Sequence, residues 1–293
     1  MSRATPPFVS VIVPVYNGQA TLEGCVDSLL GLDYESGRRE LICVDNGSTD
    51  STRAILMGYG DRVRLLTEPR RGPAAARNRG LAVARGPLVA FTDADCTVDP
   101  GWLRSLVDAM DTEPGTILGG RILASASPNP VEKFGERIHD HRRAIEEFAI
   151  PYVITMNCCA HLSLLKRIGL FEAKFRRGED SDLSLRLFSA GTRFAYEPRA
   201  IVRHRNERNL AGLFREGFQH GYWGVLVRRE HRELLSRAQG RESPWHGYRR
   251  ILESLTAAVR GEDRVASLCR MAFDSGKKLG RAAGSVRFRY PAF

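Results

Sequence analysis

Residues 8 to 15, FVSVIVPV, are almost continuously apolar and rich in β-branched side chains. A strand with one wet face would alternate apolar and polar residues; this run does not, which suits a strand covered on both faces in a parallel sheet. Parallel neighbours need a crossover, and the next residues supply one. Thr21 can cap TLEGCVDSLLGL, whose Leu22, Val26, Leu29 and Leu30 share one helical face. The alternation then continues. ELICVD at 40 to 45 reads as a second strand, Asp50 or Ser51 can cap a short helix through Met57, and 63 to 66 reads as a third strand. Pro73 opens a helix to about Arg85, and LVAFTD forms a fourth strand ending at Asp93. Four strands alternating with helices predict right-handed βαβ units. The fold class expected is α/β, a doubly wound, mostly parallel central sheet flanked by helices, with ligands at the carboxyl ends of the strands.

Farther along, 101 to 111 reads as helix and 116 to 123 as strand. Residues 131 to 148 read as one charged amphipathic helix with Phe134, Ile138, Ile145 and Phe148 available for burial. A helix follows from Gly178 to Ala190, then two short strands near 193 to 196 and 200 to 202 complete the sheet. From Asn209 onward the pattern is mostly helical: 210 to 231, a Gly, Ser and Pro break at 240 to 244, then 248 to 259 and 263 to 273. The expected division is therefore a ligand-binding domain over 1–205 and a helical region over 206–293.

The 293 residues carry a formal net charge of +10, and its placement is uneven. Residues 199 to 293 hold 20 Lys and Arg against 9 Asp and Glu, so the C-terminal third accounts for the whole excess. Such a region can meet an anionic bilayer, nucleic acid or an anionic substrate, or form a solvated basic face. Its apolar residues, Leu255, Val259, Leu268, Met271, Phe273 and Leu279, suit either shallow insertion into a membrane surface or packing on the protein itself or a second subunit. Six cysteines show no CxxC spacing and lie mostly in apolar runs, which argues against a disulfide framework. The first apolar run is too short for a signal-peptide core or a membrane span, so the chain is expected to stay on the cytoplasmic side, with peripheral membrane contact left open.

Polar residues gather where the sheet should present them. In TDADC, Asp93 and Asp95 follow an apolar strand at a spacing that lets one turn offer both carboxylates to a single cation; hard oxygen ligands suit Mg²⁺ or Mn²⁺. Taken alone, the same pattern also describes an acidic turn. Asp45 ends the second strand, where a carboxylate can accept from a base or a ribose hydroxyl, or simply cap the NGSTD turn. Pro14 and Tyr16 end the first strand with a rigid turn and an aromatic ring. In GEDSD, Asp180 can face an acceptor while Glu179 and Asp182 cap the helix. His204 follows the last strand and offers an imidazole. His220, Tyr222 and Trp223 can line an acceptor pocket or pack internally.

VSVIVPVYNG, ELICVDNGSTDST and GPAAARNRGLAVARGPLVAFTDADC, in that order, resemble the N-terminal half of a family 2 glycosyltransferase of the GT-A fold. The resemblance covers about residues 8 to 205. It implies an inverting transfer of a sugar from a nucleoside diphosphate sugar, by default UDP-linked, to an acceptor it does not identify. It implies that Pro14, Tyr16 and Asp45 hold the nucleoside, that Arg77 lies near the donor, and that Asp93 lies near the ribose or metal. Asp95 would be the principal metal ligand with His204 completing the shell, and Asp180 would be the general base. Arg77 also reads as a helix residue paired with a nearby carboxylate.

Rival classes lack their motifs. The first strand leads into PVYNGQ rather than GxGxxG, there is no GxxxxGK[ST], and no zinc spacing or RNA-binding aromatic pair accompanies the basic tail, so no nucleic-acid partner is expected. A catalytically silent nucleotide-sugar-binding protein is the alternative, and the presence of Asp93, Asp95, Asp180 and His204 together argues against it. Sugar, acceptor and oligomeric state are not legible.

Overall fold

A computed structural model describes residues 5–111, 113–238, 246–260 and 263–292. Its strands are β1 (Val9–Val15), β2 (Arg39–Asp45), β3 (Arg64–Thr67), β4 (Leu88–Phe91), β5 (Cys96–Val98), β6 (Thr116–Ala124), β7 (Cys158–His161) and β8 (Arg193–His204). They form one sheet in the order β3-β2-β1-β4-β7-β6-β8-β5. The half from β3 to β4 is parallel, with Val15 beside Asp45 and Ile12 beside Phe91. Beyond β4 the direction changes: β7 runs antiparallel to both β4 and β6, and β5 antiparallel to β8.

The parallel half behaves as its apolar runs predict. Val9, Val11, Val13 and Val15 enter one core with Leu22, Val26 and Leu29 of α1 (Leu22–Leu30), while Ile12 enters a second core on the opposite face. That second core also takes Ile42, Val44, Val89 and Phe91, and packs against Ala74, Ala76 and Leu81. Strand side chains alternate faces, so a run with no polar alternation needs two apolar partners, and both are present. After β2 the chain forms α2 (Thr52–Gly58), after β3 α3 (Pro73–Leu81), and after β5 α4 (Trp102–Ala109), whose Trp102 is fully buried.

Three boundaries differ from the expectations above. The helix expected over 131 to 148 is two, α5 (Pro130–Ile138) and α6 (His141–Glu146). Asn129 opens the first with a capping box, and the Asp140 carboxylate accepts from the Arg143 N–H to open the second. The two short strands expected near 193 and 200 are a single strand, β8, which runs through Pro198. The last helix does not stop at Phe273. Between the early and late parts of the sheet lie α7 (Leu162–Ile168) and α8 (Glu179–Ser189), followed by α9 (Leu210–Glu230), α10 (Arg232–Ala238), α11 (His246–Arg260) and α12 (Arg264–Phe288). The break expected at 240 to 244 lies outside the described residues.

The chain divides into two compact units, Met1–Leu123 with Asp140–His204, and Ala124–His139 with Arg205–Phe293. The first contains the sheet and its flanking helices. The second corrects the expected division at 205, because residues 124 to 139 belong with the C-terminal helices. Asn206 explains this locally: its Nδ2 donates to the Glu132 carbonyl, and its side chain fills the space left by Gly135. Phe134 packs with Leu213 and Cys269. Within this second unit α9 and α12 run against each other through glycines: a Cβ on Gly217, Gly276 or Gly280 would collide with the Phe273, Phe214 or Phe218 carbonyl oxygen of the facing helix. Tyr222, Trp223 and Phe288 form a partly buried ring cluster beside that contact, and the exposed His220 meets Phe273 edge-on. No helix among the described residues is long and apolar enough to cross a membrane.

Candidate functional site

The carboxyl ends of β1 and β2 build the first part of the site. Pro14 is half-buried in β1 opposite Val44, and Tyr16 leaves the strand with its ring exposed under the Arg71 guanidinium, 4.2 Å from the ring centroid. Asn17 adopts a left-handed conformation, φ 50°, and turns its side-chain oxygen to the Thr49 N–H at 2.8 Å. Its own N–H donates to Ser48 Oγ at 2.9 Å. Asp45, 3% exposed, accepts from the Ser48 N–H at 2.9 Å. The two strand ends are thus tied to one another, and the neighbouring Asn46 ties both to the next loop through the Glu68 and Arg70 carbonyls and the Gly72 N–H. Gly72, φ 126°, then turns the chain into α3 in a backbone conformation that favours glycine.

β4 delivers the acidic turn. Asp93 lies two residues beyond β4 and is reached by Arg77 from α3: Arg77 Nη2 donates to Asp93 Oδ1 at 2.6 Å, and Nη1 donates to Glu179 Oε1 at 2.7 Å. Arg77 is 2% exposed, so both terminal nitrogens are spent on buried ion pairs. Burial disfavours its charge, but Asp93 and Glu179 outweigh that and hold the guanidinium firmly protonated. The carboxylate-paired arrangement is the one the structure displays. Asn78, one residue on, makes a two-way link to the Phe171 backbone.

Asp95 is exposed and stands beside His204 at the end of β8, with Oδ2 3.4 Å from Nε2. Cys96 follows as the first residue of β5 and lies opposite His204 in the antiparallel register. One donor atom each from Asp95, Cys96 and His204 lie within 4.8 Å of one another. Asp93 stays with Arg77, outside that trio. A carboxylate oxygen and an imidazole nitrogen at this separation fit a divalent cation, and the local charge favours one. Asp93, Glu179 and Asp180 lie about the Arg77 guanidinium, and Asp95 lies beside the His204 imidazole.

Asp180 occupies the first turn of α8, next to Glu179. Burial first, then the charge of Glu179, push its carboxyl up to about 7, despite the Ser181 N–H that its Oδ1 accepts at 2.7 Å. The Val153 N–H donates to Ser184 Oγ, one turn farther along the same helix, which brings the Tyr152 segment alongside. Burial and then Asp180 push the Tyr152 phenol up as well.

The sequence-predicted residues thus occupy two neighbouring groups on the carboxyl side of the sheet. Pro14, Tyr16 and Asp45 belong to the β1/β2 ends, and Arg77, Asp93, Asp95, His204 and Asp180 to the β4 turn and its partners. Two interstrand spacings, about 10 Å, separate β2 from β4 laterally. Sequence reasoning misses two members. Glu179 is assigned there to capping α8, yet Gly178 holds the N-cap position without a side-chain cap and Glu179 pairs with Arg77, while Asp182 pairs with Arg186. Cys96 is read only as a core thiol, and its place opposite His204 depends on a strand pairing that no local pattern announces.

Comparison with known proteins identifies the family and the fold. The model of the family described as glycosyl transferase family 2 matches residues 10–170. The pre-mycofactocin glycosyltransferase of Mycobacterium tuberculosis is 33% identical over 287 residues, covering 94% of this chain; the chain spans 57% of that relative's length. A mannosyltransferase from Pyrobaculum calidifontis, solved with GDP-Man and Mn²⁺, superposes with a TM-score of 0.67 over 96% of this chain and 88% of its own at 19% identity. S. aureus TarS, solved with UDP-GlcNAc, superposes with a TM-score of 0.56 over 97% and 92% at 15% identity. These likenesses show the fold: the mixed eight-stranded sheet is that of the GT-A glycosyltransferases.

Replacing Arg77 by Met removes one charge and leaves Asp93 and Glu179 facing each other without a cation. Breaking a buried ion pair from one side costs about 3–5 kcal/mol. Urea unfolding of Arg77→Met should show a loss of that order, and Arg77→Met,Glu179→Gln should recover part of it.

Proposed function

The chain belongs to glycosyl transferase family 2, and from that premise we propose that it transfers a sugar from a nucleoside diphosphate sugar, most simply a UDP sugar, to an acceptor hydroxyl with inversion at the anomeric carbon. The observation that carries the reading is the pair of groups at the carboxyl edge of the sheet: Asp93, Glu179 and Asp180 about the buried Arg77, and Asp95 beside His204. A silent binding protein has no need for a carboxyl poised near neutrality, and Asp180 is such a group.

In this reading Asp45 accepts from the nucleoside, the Tyr16 ring and Pro14 bound the base, and Asp93 is held toward the ribose by Arg77. Asp95 and His204 hold a divalent cation, Mg²⁺ or Mn²⁺. Bound there, the cation supplies the positive charge that a departing diphosphate requires. The protein's own part in the chemistry falls to Asp180. As the acceptor oxygen forms its bond to the anomeric carbon and the bond to the diphosphate oxygen breaks, the carboxylate takes the hydroxyl proton. A base with an ordinary carboxylate pKa, about 3.9, would be ionised but weak; raised to about 7 it is stronger and still half-ionised at neutral pH. The raised value has a structural source, since Glu179 is fixed beside it by Arg77.

For the acceptor, α11 is informative. Leu252, Leu255 and Val259 are exposed at helical spacing, with Arg249 and Arg260 exposed on the same helix. An apolar stripe flanked by cations in a basic region favours an acceptor presented at an anionic membrane surface, a lipid-linked or cell-envelope glycan.

Asp180→Asn should abolish transfer while leaving nucleotide-sugar affinity within about twofold, since the amide cannot take the proton but keeps the shape. For the unmodified protein, the rate should fall about tenfold per pH unit below about 7, because the base is active only when deprotonated. A flat profile from pH 5 to 8 would contradict the role. Asp95→Ala should weaken metal-dependent binding of the donor, measured by calorimetry with and without Mn²⁺; indifference to both metal and variant removes the cation from the proposal. The protein should sediment with vesicles containing phosphatidylglycerol but not with phosphatidylcholine alone, and Leu252→Ser,Val259→Ser should release it.

A further inference from the structure

Cys96 has a place in the site that the proposed transfer does not use. It is the residue after Asp95, and the antiparallel register sets it directly opposite His204, so the two side chains share one face of the β5/β8 ladder. Its sulfur lies 3.8 Å from Asp95 Oδ1, His204 Nε2 lies 3.4 Å from Asp95 Oδ2, and the three donor atoms fall within 4.8 Å of one another. A cation bound at about 2.1 Å from oxygen and nitrogen and about 2.3 Å from sulfur holds its donors roughly 3 to 4.5 Å apart. Both separations to Asp95 fall in that range, and the third is no more than 4.8 Å. Burial grades across it in the same sense: Cys96 is buried, His204 partly so, and Asp95 exposed.

The other buried cysteines are placed differently. Cys96 shares one apolar core with Cys25, Cys43 and Cys159, Cys158 belongs to the other core, and Cys269 to the small cluster with Phe134 and Leu213, but only Cys96 lies at that core's edge beside Asp95 and His204. Cys25 donates to the Asp93 carbonyl at 3.4 Å rather than facing a carboxylate and an imidazole. Of the six, Cys96 alone joins a metal-type donor group among the described residues.

We propose that Cys96 is a third protein ligand of the cation site, which makes its donor set oxygen, nitrogen and sulfur and gives it a preference for borderline or thiophilic divalent cations such as Co²⁺ and Zn²⁺ over Mg²⁺. Mg²⁺ takes oxygen ligands in a strict octahedron and gives up its waters reluctantly, so a sulfur donor adds little for it. For Co²⁺ or Zn²⁺ the thiolate is a strong ligand, formed as coordination releases the thiol proton to water. The proposal rests on the cation-site reading of Asp95 and His204, and the experiment separates the two.

The protein is titrated with Co²⁺ alone and followed by absorption and by calorimetry. The unmodified protein should develop an intense near-ultraviolet sulfur-to-cobalt charge-transfer band that saturates with one equivalent. Cys96→Ser should lose that band and still bind Co²⁺, more weakly by on the order of tenfold or more, the scale that loss of even an outer-shell partner costs a metal site. Its affinity for Mg²⁺ should change far less, so the ratio of the two affinities moves. Asp95→Ala should lose band and binding together. Co²⁺ binding to the unmodified protein without the band overturns the role of Cys96 and leaves Asp95 and His204 standing as ligands. Failure to bind Co²⁺ at all overturns both readings. Because the decisive spectrum is that of the unmodified protein, a poorly folding variant does not blur the result, and the shift of bound ¹¹³Cd²⁺ gives a second test of a sulfur ligand on the same protein.

Discussion

The Arg77 guanidinium is the tie on which the rest of the site depends. It is buried, and a buried charge is tolerated only when carboxylates compensate it with good geometry. Asp93 comes from the turn after β4 and Glu179 from the start of α8, 102 residues from Arg77 in the chain. One side chain therefore fixes the distance between the acidic turn after β4 and the helix that carries Asp180. It also fixes the charge beside Asp180, since Glu179 is the neighbour that burial alone would not supply. Burial is the larger cause of the raised Asp180 carboxyl, and the Glu179 charge held there by Arg77 adds to it.

The sheet explains why that contact forms where it does. In its parallel half each strand ends on the same edge, so Asp45, Tyr16 and Asp93 emerge side by side without any long loop to place them. β7 then reverses the direction and packs Cys158 and Cys159 against β4. The reversal lets the last strand, β8, finish with His204 at the short strand β5, which begins one residue after Asp95. A purely parallel sheet would need another crossover helix to bring an imidazole to that place.

Much of this was legible in the sequence. The continuous apolar runs of β1, β2 and β4 identify strands covered on both faces, and the residues that close them are those now found at the carboxyl edge. What escaped reading shares a physical cause. β5 and β7 span three and four residues, too short for periodicity to register, and their pairing partners lie far along the chain. The interruption between α5 and α6 hides because the apolar spacing from Phe134 to Ile145 continues through it, while the cue is a polar one, Asp140 accepting from the Arg143 N–H. Glu179 looks like an ordinary acidic residue opening a helix, and only the burial of Arg77 turns it into an ion-pair partner. Local pattern reveals what each segment prefers; long-range electrostatics decides which of several acids answers to which base.

The bare glycine faces of α9 and α12 have a separate consequence. With carbonyls and α-carbons of the two helices nearly touching, there is no layer of side chains between them to absorb change. The outer surfaces of the pair can drift in composition over evolution, taking up or losing arginines and leucines as the environment of the protein demands. The seam between them can only be kept or lost. Such a pair behaves as a stiff two-ply rod whose decoration is negotiable and whose spacing is not.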